Sequence, residues 1–404
     1  MSLSALEALH IRNVDVAGKT VFFRTDLNVP MADGAITDTT RIDRTAPGIA
    51  DLAERGARVV VAAHYGRPKG QAVAEMSLAP IAPALAHAVG RDVKFAGDCI
   101  GEMAQAAISS LNDGEVLLLE NLRYHAEEEA GDAGFAAALA EGIDFYVNDA
   151  FSAAHRAHAS ISVLAGLKPA YAGPLMAEEL AALAAALEEP KTPVAAVVGG
   201  AKVSTKLAVL NNLVERVDSL IIGGGMANTF LYAQGVAIGA SLAEADMADQ
   251  ARTIMASAEK AGCEIILPVD VVLSKEFKAG ADARVVAVGD GDIADDEMIL
   301  DAGPETVAKA VAALNTANTL VWNGPMGAFE IPPFDAATVD LARHAAILTR
   351  MNGLVSVAGG GDTVAALIAA GVSGKFHYVS TAGGAFLEWM EGKTLPGVAA
   401  LMAE

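Results

Sequence analysis

Cysteine is nearly absent: the 404 residues contain only Cys99 and Cys263. Neither belongs to a Cys-x-x-Cys or Cys/His spacing, so no metal or redox motif can be read. Both are expected to be small buried hydrophobes of a chain kept in a reducing compartment. Positive charge is also scarce. Lys and Arg number 28 against 50 Asp and Glu, a formal charge of −22 with a pI near 4.7. A field of that sign repels nucleic acid and anionic membrane surfaces, so neither is expected as a partner. No stretch reaches the ~20 apolar residues of a membrane span, and the Ala-rich run 175–187 is broken by Glu178 and Glu179. The first residues lack a charged region followed by a long apolar run. No export signal is therefore expected, and the expected location is cytoplasmic. Neither GxGxxG nor GxxxxGK[ST] occurs, which argues against a standard dinucleotide fold and a Walker loop.

Apolar material is plentiful: 53% of residues are hydrophobic and the mean hydropathy is +0.38, enough for sizeable cores and too much for general disorder. The length suggests two or three domains at about 100–200 residues each. Short β-rich runs (21–23, 59–63, 116–119 and 145–147, then 194–198, 220–222, 265–268, 320–322 and 354–357) alternate with helical segments such as 46–55, 135–141 and 306–314. The strands are continuously apolar rather than alternating, which means burial on both faces, as in parallel sheets covered by helices. The expected class is α/β. A helix over 175–187 ends at prolines 190 and 193, so the domain boundary is placed between 165 and 193, with that helix as a stiff connector.

In open α/β sheets ligands bind beyond the carboxyl ends of the strands. In the first half those positions are basic or strongly polar: Arg24 to Asn28, His64 to Arg67, Glu120 to His125, and Asn148 to His158 with Arg156 among them. Arg41 follows a turn at Asp33-Gly34. An acidic chain that places Arg and His after strand upon strand builds a local anion site against its own net field, and the planar guanidinium fork suits carboxylate and phosphate. In the second half the strand ends carry glycine instead, at 199–200, 223–225, 359–361 and 383–384. Glycine lets backbone N–H groups approach an anion, and a following helix N-terminus adds positive dipole. Four such loops indicate a nucleotide or polyphosphate site. Lys202 and Lys206 are one turn apart and share a face if a helix begins near Ala201. The two halves together suggest phosphoryl transfer across a closing cleft.

VFFRTDLNVP, AHYGRP, LLLENLRYH, NDAFSAAHRAH, VVGGAKVSTK, IIGGGMANTF, VWNGPMGAFE, VAGGGDT and STAGGA follow one another along the chain. These nine blocks resemble, in order, those of the phosphoglycerate kinase family of glycolysis and the Calvin cycle. Four positions depart from the family's habit. Ala382 stands where the first of three glycines is usual, Tyr65 where Leu is common, and Ser152-Ala153 where Gly-Thr is commoner.

The resemblance implies two Rossmann-like domains with parallel sheets: residues 1–172 plus a tail at about 390–404, a joining helix at 173–189, and residues 190–389. It implies that Asp26, Asn28, Arg41, His64, Tyr65, Gly66, Arg67, Arg123 and Arg156 hold 3-phosphoglycerate or 1,3-bisphosphoglycerate. ADP or ATP would lie against Gly200, Ala201, Lys202, Lys206, Gly224, Asn323, Pro325, Glu330, Gly360, Gly361, Asp362 and Thr363. Glu330 would take the ribose hydroxyls and Asp362 the Mg²⁺, a hard cation that prefers oxygen. Arg41 and Lys206, with the N–H groups of Gly383 and Gly384, are expected to cage the moving phosphoryl group. Asp149 is expected to be structural or hinge-positioning. Family likeness favours a monomer. The alternative is another two-domain kinase forming an acyl phosphate. A solute-binding protein should carry an export signal, and a nicotinamide-dependent dehydrogenase should carry GxGxxG.

Overall fold

The computed structural model describes residues 7–289 and 293–403, so the first six residues of the segment read for an export signal, and Glu404 of the tail, lie outside it. The chain divides into two compact units. Unit 1 is Met1–Ala181 with Thr394–Glu404, and unit 2 is Ala182–Lys393. The division falls inside the helix Pro174–Leu183, which runs on as a wider turn over Ala184–Glu188.

Unit 1 is built on a six-stranded parallel sheet in the order Val93–Ala96, Val116–Leu119, Arg58–Ala62, Thr20–Arg24, Phe145–Asn148, Ala170–Ala172. Every residue of Thr20–Arg24 and of Val116–Leu119 is buried, as continuous Val, Leu and Phe runs require when helices cover both faces. The helix Thr40–Glu54 buries Ile42, Ala46, Ile49, Leu52 and Ala53, a three- and four-residue spacing that lays one stripe on the sheet. It begins six residues earlier than the apolar run predicts. Arg41 therefore stands in the first turn of a helix, not in a loop. Between that helix and Thr20–Arg24, Asp33 and Gly34 turn a two-residue hairpin with φ of 50° and 76°. The C-terminal helix Pro396–Leu401 belongs to this unit, with Gly397 N–H donating to Ala154 O.

Unit 2 repeats the plan. Its parallel sheet runs Glu264–Ile266, Ser219–Ile222, Val194–Val198, Thr319–Asn323, Val355–Gly359, Tyr378–Ser380. A second, antiparallel sheet of Arg284–Ala287, Asp270–Ser274 and Met298–Ala302 was not foreseen, because its strands are only four or five residues long and carry no long apolar run. In each parallel sheet the strand order reverses once. The reversal lies beside Thr20–Arg24 in unit 1 and between Val194–Val198 and Thr319–Asn323 in unit 2. Those reversal points are where a crevice opens at the carboxyl edge of an open sheet.

Candidate functional site

At the reversal point of unit 1 the loop after Thr20–Arg24 brings Asp26 to the first turn of Thr40–Glu54. Arg41 Nη1 donates to both carboxylate oxygens of Asp26, at 2.9 and 2.8 Å. Ser152 Oγ donates to the same carboxylate at 2.6 Å, and the Asn28 N–H at 2.9 Å. Burial opposes ionisation of Asp26, but its neighbours His64 and Arg41, with these hydrogen bonds, hold the carboxyl below its ordinary range. Ser152 is one of the positions departing from family habit. Its hydroxyl takes up Asp26 from one residue before the position where a threonine is common.

Asn28 Oδ1 accepts from Gly66 N–H at 2.9 Å, and Gly66 O accepts from Arg123 Nη1 at 2.9 Å, so the loops after three strands are stitched together. Tyr65 is fixed through its backbone by Asn121, at 3.2 and 2.7 Å. Arg123 is 3% exposed, and its Nη2 is buried without a hydrogen-bond partner among the described residues. Burial, then repulsion from Arg156, lowers its pKa to about 10. His64 lies 3.2 Å from Arg24 Nη2, and a guanidinium can only donate, so Nδ1 accepts and Nε2 carries the proton. Burial and Arg24 push this imidazole well below its ordinary value, and His158 falls to about 3 by burial and by Arg123 and Arg156. Arg67 is exposed at the rim. These cations destabilise one another, and a multiply charged anion among them would relieve the repulsion.

Beneath this group lies a support formed by Arg24, which the sequence reading placed in the anion group itself, and by Ser160 and Glu128, which it did not single out. Arg24 is fully buried, and its Nε donates to Ser160 Oγ at 2.9 Å. Ser160 in turn donates to buried Glu128 through Oγ at 2.6 Å and through its N–H at 2.9 Å. The one signal available was an Arg ending a wholly apolar strand.

The reversal point of unit 2 is closed by glycine. A Cβ on Gly199 would stand 1.8 Å from Pro325 O, and one on Gly224 2.7 Å from Gly200 O, with φ +68° there as well. No side chain fits at either place. Lys206 Nζ donates to Gly199 O at 2.6 Å and to Asn323 O at 2.8 Å, tying both reversal strands and leaving one N–H without a partner among the described residues. Burial lowers its pKa to about 8, against the opposing charge of Asp362. The helix expected near Ala201 begins only at Leu207. Lys202 therefore lies in an exposed turn and shares no helical face with Lys206. Asn323 donates to Gly359 O at 2.8 Å while its buried Oδ1 has no partner among the described residues.

Two helix N-termini meet beside this lysine. Gly361–Ala369 starts from Gly360, and Gly383–Met390 from Ala382; the Cβ position of Gly383 is 3.8 Å from both Gly360 Cα and Gly361 N. Ala382 has φ −96°, a backbone any residue adopts, so alanine is tolerated where glycine is customary. Asp362 is exposed in the first turn of its helix, whereas Thr363 is buried and its hydroxyl accepts from Gly324 N–H at 2.7 Å. Next to them opens a cavity of about 510 Å³. Gly200, Ala201, Gly224, Pro325, Glu330 and Asp362 line one side, and Leu242, Phe277, Met298, Leu300 and Met326 form an apolar wall. The apolar wall was invisible in the sequence, because its residues come from loops and from the unforeseen antiparallel sheet.

The model of a family described as phosphoglycerate kinase matches residues 11–393. The chain is 62% identical over 387 residues to the phosphoglycerate kinase of Methylobacterium radiotolerans, covering 96% of each chain. To that of Rhizobium meliloti it is 61% identical over 384 residues, covering 95% of this chain and 96% of the relative. It is similar to the structure of phosphoglycerate kinase from Coxiella burnetii, with a TM-score of 0.92 and 42% identity over 98% of both chains. On this evidence the chain belongs to the phosphoglycerate kinase family, kinases that transfer phosphate to or from a carboxyl group.

Proposed function

We propose that the basic group of unit 1 binds 3-phosphoglycerate or 1,3-bisphosphoglycerate, that unit 2 binds ADP or ATP, and that a phosphoryl group passes reversibly between them. The observation that carries this reading is the pair of converging helix N-termini at Gly361 and Gly383, the first of which sets Asp362, whose charge acts on Lys206, on the lining of a cavity with an apolar wall. Backbone N–H groups and dipoles suit a polyphosphate, and an apolar slot suits a flat heterocycle. Glu330, exposed at the cavity mouth, takes the ribose hydroxyls. Lys202 reaches the phosphates from its exposed position, Gly200, Ala201, Gly224 and Pro325 line the cavity, and Asn323 O holds Lys206.

The chemistry needs no general base. In the ATP-forming direction a terminal oxygen of ADP attacks the acyl phosphorus and the carboxylate leaves; in reverse the carboxylate attacks the terminal phosphate of ATP. Both nucleophiles are already ionised at neutral pH, so the protein must align two anions and neutralise charge on the transferring group. Arg41 is held in place by Asp26 and Ser152, presenting its remaining N–H groups. Lys206 donates its third N–H, and Gly383 and Gly384 donate backbone N–H groups. Asp362 fits a hard divalent cation: an exposed carboxylate beside a phosphate cradle is the sparse protein share that Mg²⁺ accepts. When bound, Mg²⁺ neutralises phosphate charge. Transfer requires the two units to close on their ligands, and the chain acts as a cytoplasmic monomer.

A coupled assay of ATP formation from ADP and 1,3-bisphosphoglycerate, with and without Mg²⁺, tests this. Mg-dependent turnover is expected. Turnover unaltered when Mg²⁺ is chelated would dismiss the role of Asp362.

A further inference from the structure

The strand Val93–Ala96 is the edge of the unit 1 sheet and pairs in parallel with Val116–Leu119, Ala96 opposite Leu119. The chain segments leaving these two strands run side by side, which sets Asp98 and Cys99 against His125. Asp98 Oδ1 is 2.7 Å from His125 Nε2. The thiol, an imidazole nitrogen and a carboxylate oxygen all lie within 4.8 Å of one another. Cys99 is 2% exposed, while Asp98 and His125 are part-exposed, so a sulfur forms the floor of a notch whose mouth is a carboxylate and an imidazole. Phe135 packs on the imidazole with ring centroids 5.2 Å apart and fixes its approach. None of the three takes part in the anion group: Arg123, two residues before His125, turns to Gly66 and Glu129.

We propose that Asp98, Cys99 and His125 form a site for a zinc-class divalent cation, with one sulfur, one nitrogen and one oxygen ligand from the protein. A thiolate selects borderline-soft ions over Mg²⁺ or Ca²⁺. Zn²⁺ takes sulfur at about 2.3 Å and nitrogen or oxygen at about 2.0–2.2 Å, which places tetrahedral ligand atoms about 3.3–3.6 Å apart. The imidazole and carboxylate, 2.7 Å apart, part slightly to reach that range, and the sulfur already lies within 4.8 Å of both. Binding expels the thiol proton to solvent, and His125 ligates through Nε2 with its proton on Nδ1. One thiolate and one carboxylate then balance the two positive charges. The fourth position faces the notch mouth and takes water. A bound ion ties the edge strand to the segment Leu122–Tyr124, from which Arg123 extends.

The test uses the full-length protein without substrates, Co²⁺ as the optical probe and Zn²⁺ as competitor. Expected are a single equivalent of Co²⁺ with a thiolate-to-metal absorption band, its displacement by Zn²⁺, its retention in Cys263→Ser and its loss in Cys99→Ser. His125→Gln and Asp98→Asn should weaken binding by roughly tenfold or more, since even outer-shell losses cost that much. Should Cys99→Ser fail to fold, wild-type protein carries the test: Zn²⁺ should shield one thiol from a thiol reagent, and mass mapping should assign it to Cys99. The proposal is overturned by absence of a thiolate band, by a band that survives in Cys99→Ser, by His125→Gln binding as tightly as wild type, or by protection of Cys263 instead.

Discussion

Arg41 is anchored through a single nitrogen, Nη1, to Asp26, and Ser152 braces the same carboxylate. The rest of its fork is therefore pre-oriented at no further entropic cost. We expect Arg41→Ala to lower kcat by about 10²–10³, the scale of losing one transition-state donor. Arg41→Lys should also be poor, because an ammonium cannot hold Asp26 and a ligand with one planar group. Steady-state kinetics on both variants decide this: an unchanged kcat in Arg41→Ala removes the residue from the reaction, and full activity in Arg41→Lys reduces its role to charge. Arg123 makes a different case. Its buried Nη2, without a hydrogen-bond partner among the described residues, and its depressed pKa mark a cation that Gly66 and Glu129 compensate only in part, and we propose that an anionic ligand completes it. Arg123→Met keeps the packing and removes the charge. Its affinity for 3-phosphoglycerate should fall about 10- to 100-fold, the worth of one hydrogen bond to a charged group. Calorimetric titration measures it, and affinity equal to wild type would make Arg123 a structural residue.

At the scale of elements, most of the architecture was legible in the sequence, because strands buried on both faces spell continuous apolar runs and helices spell their stripes. The run 194–198 appears unaltered as Val194–Val198, and Phe145–Asn148 extends its run by one residue. Errors arose where polarity hid periodicity. The first turn of Thr40–Glu54 is Thr-Arg-Ile-Asp, too polar to read as helix, and Lys202 to Lys206 look helical yet form turns. The proposed site residues stand out in the sequence by their chemistry, whereas their buried supports, Glu128, Ser160 and the apolar wall, depend on contacts between residues distant in sequence. Asp149 shows how one such contact sets an element. Its Oδ1 accepts from the Leu175 and Met176 N–H groups, at 2.7 and 3.2 Å, at the start of Pro174–Leu183, and its Oδ2 faces the Thr45 hydroxyl at 3.5 Å. Burial raises its pKa from 3.8 to about 7, although those hydrogen bonds oppose the rise. The folded chain thus binds more protons than the unfolded one between those values, and stability falls as pH climbs through that window. Asp149→Asn retains the acceptor and offers an N–H toward Thr45. We expect its stability relative to wild type to rise steadily as pH climbs from about 4 to about 7, and to level off near about pH 8, in thermal melts. A variant less stable at both ends of that range would show that the carboxylate itself is needed.

Across the molecule, a formal charge of −22 surrounds the arginine cluster of unit 1, whose sign is opposite to that field. Anionic substrates gain attraction only close to the site, where Arg and Lys are concentrated. If transfer needs the two units to close, 3-phosphoglycerate and Mg-nucleotide together should reduce the radius of gyration more than either alone. Small-angle scattering curves identical in all four ligand states would refute closure.

The return of Pro396–Leu401 to unit 1, against Ala154 and Ile161, also bears on how the protein is made. A ribosome emits unit 1 in two instalments, with all of unit 2 between them. Unit 2 is contiguous and can mature as soon as it emerges, whereas the nascent unit 1 waits, with an uncovered apolar seat, until the final helix leaves the exit tunnel.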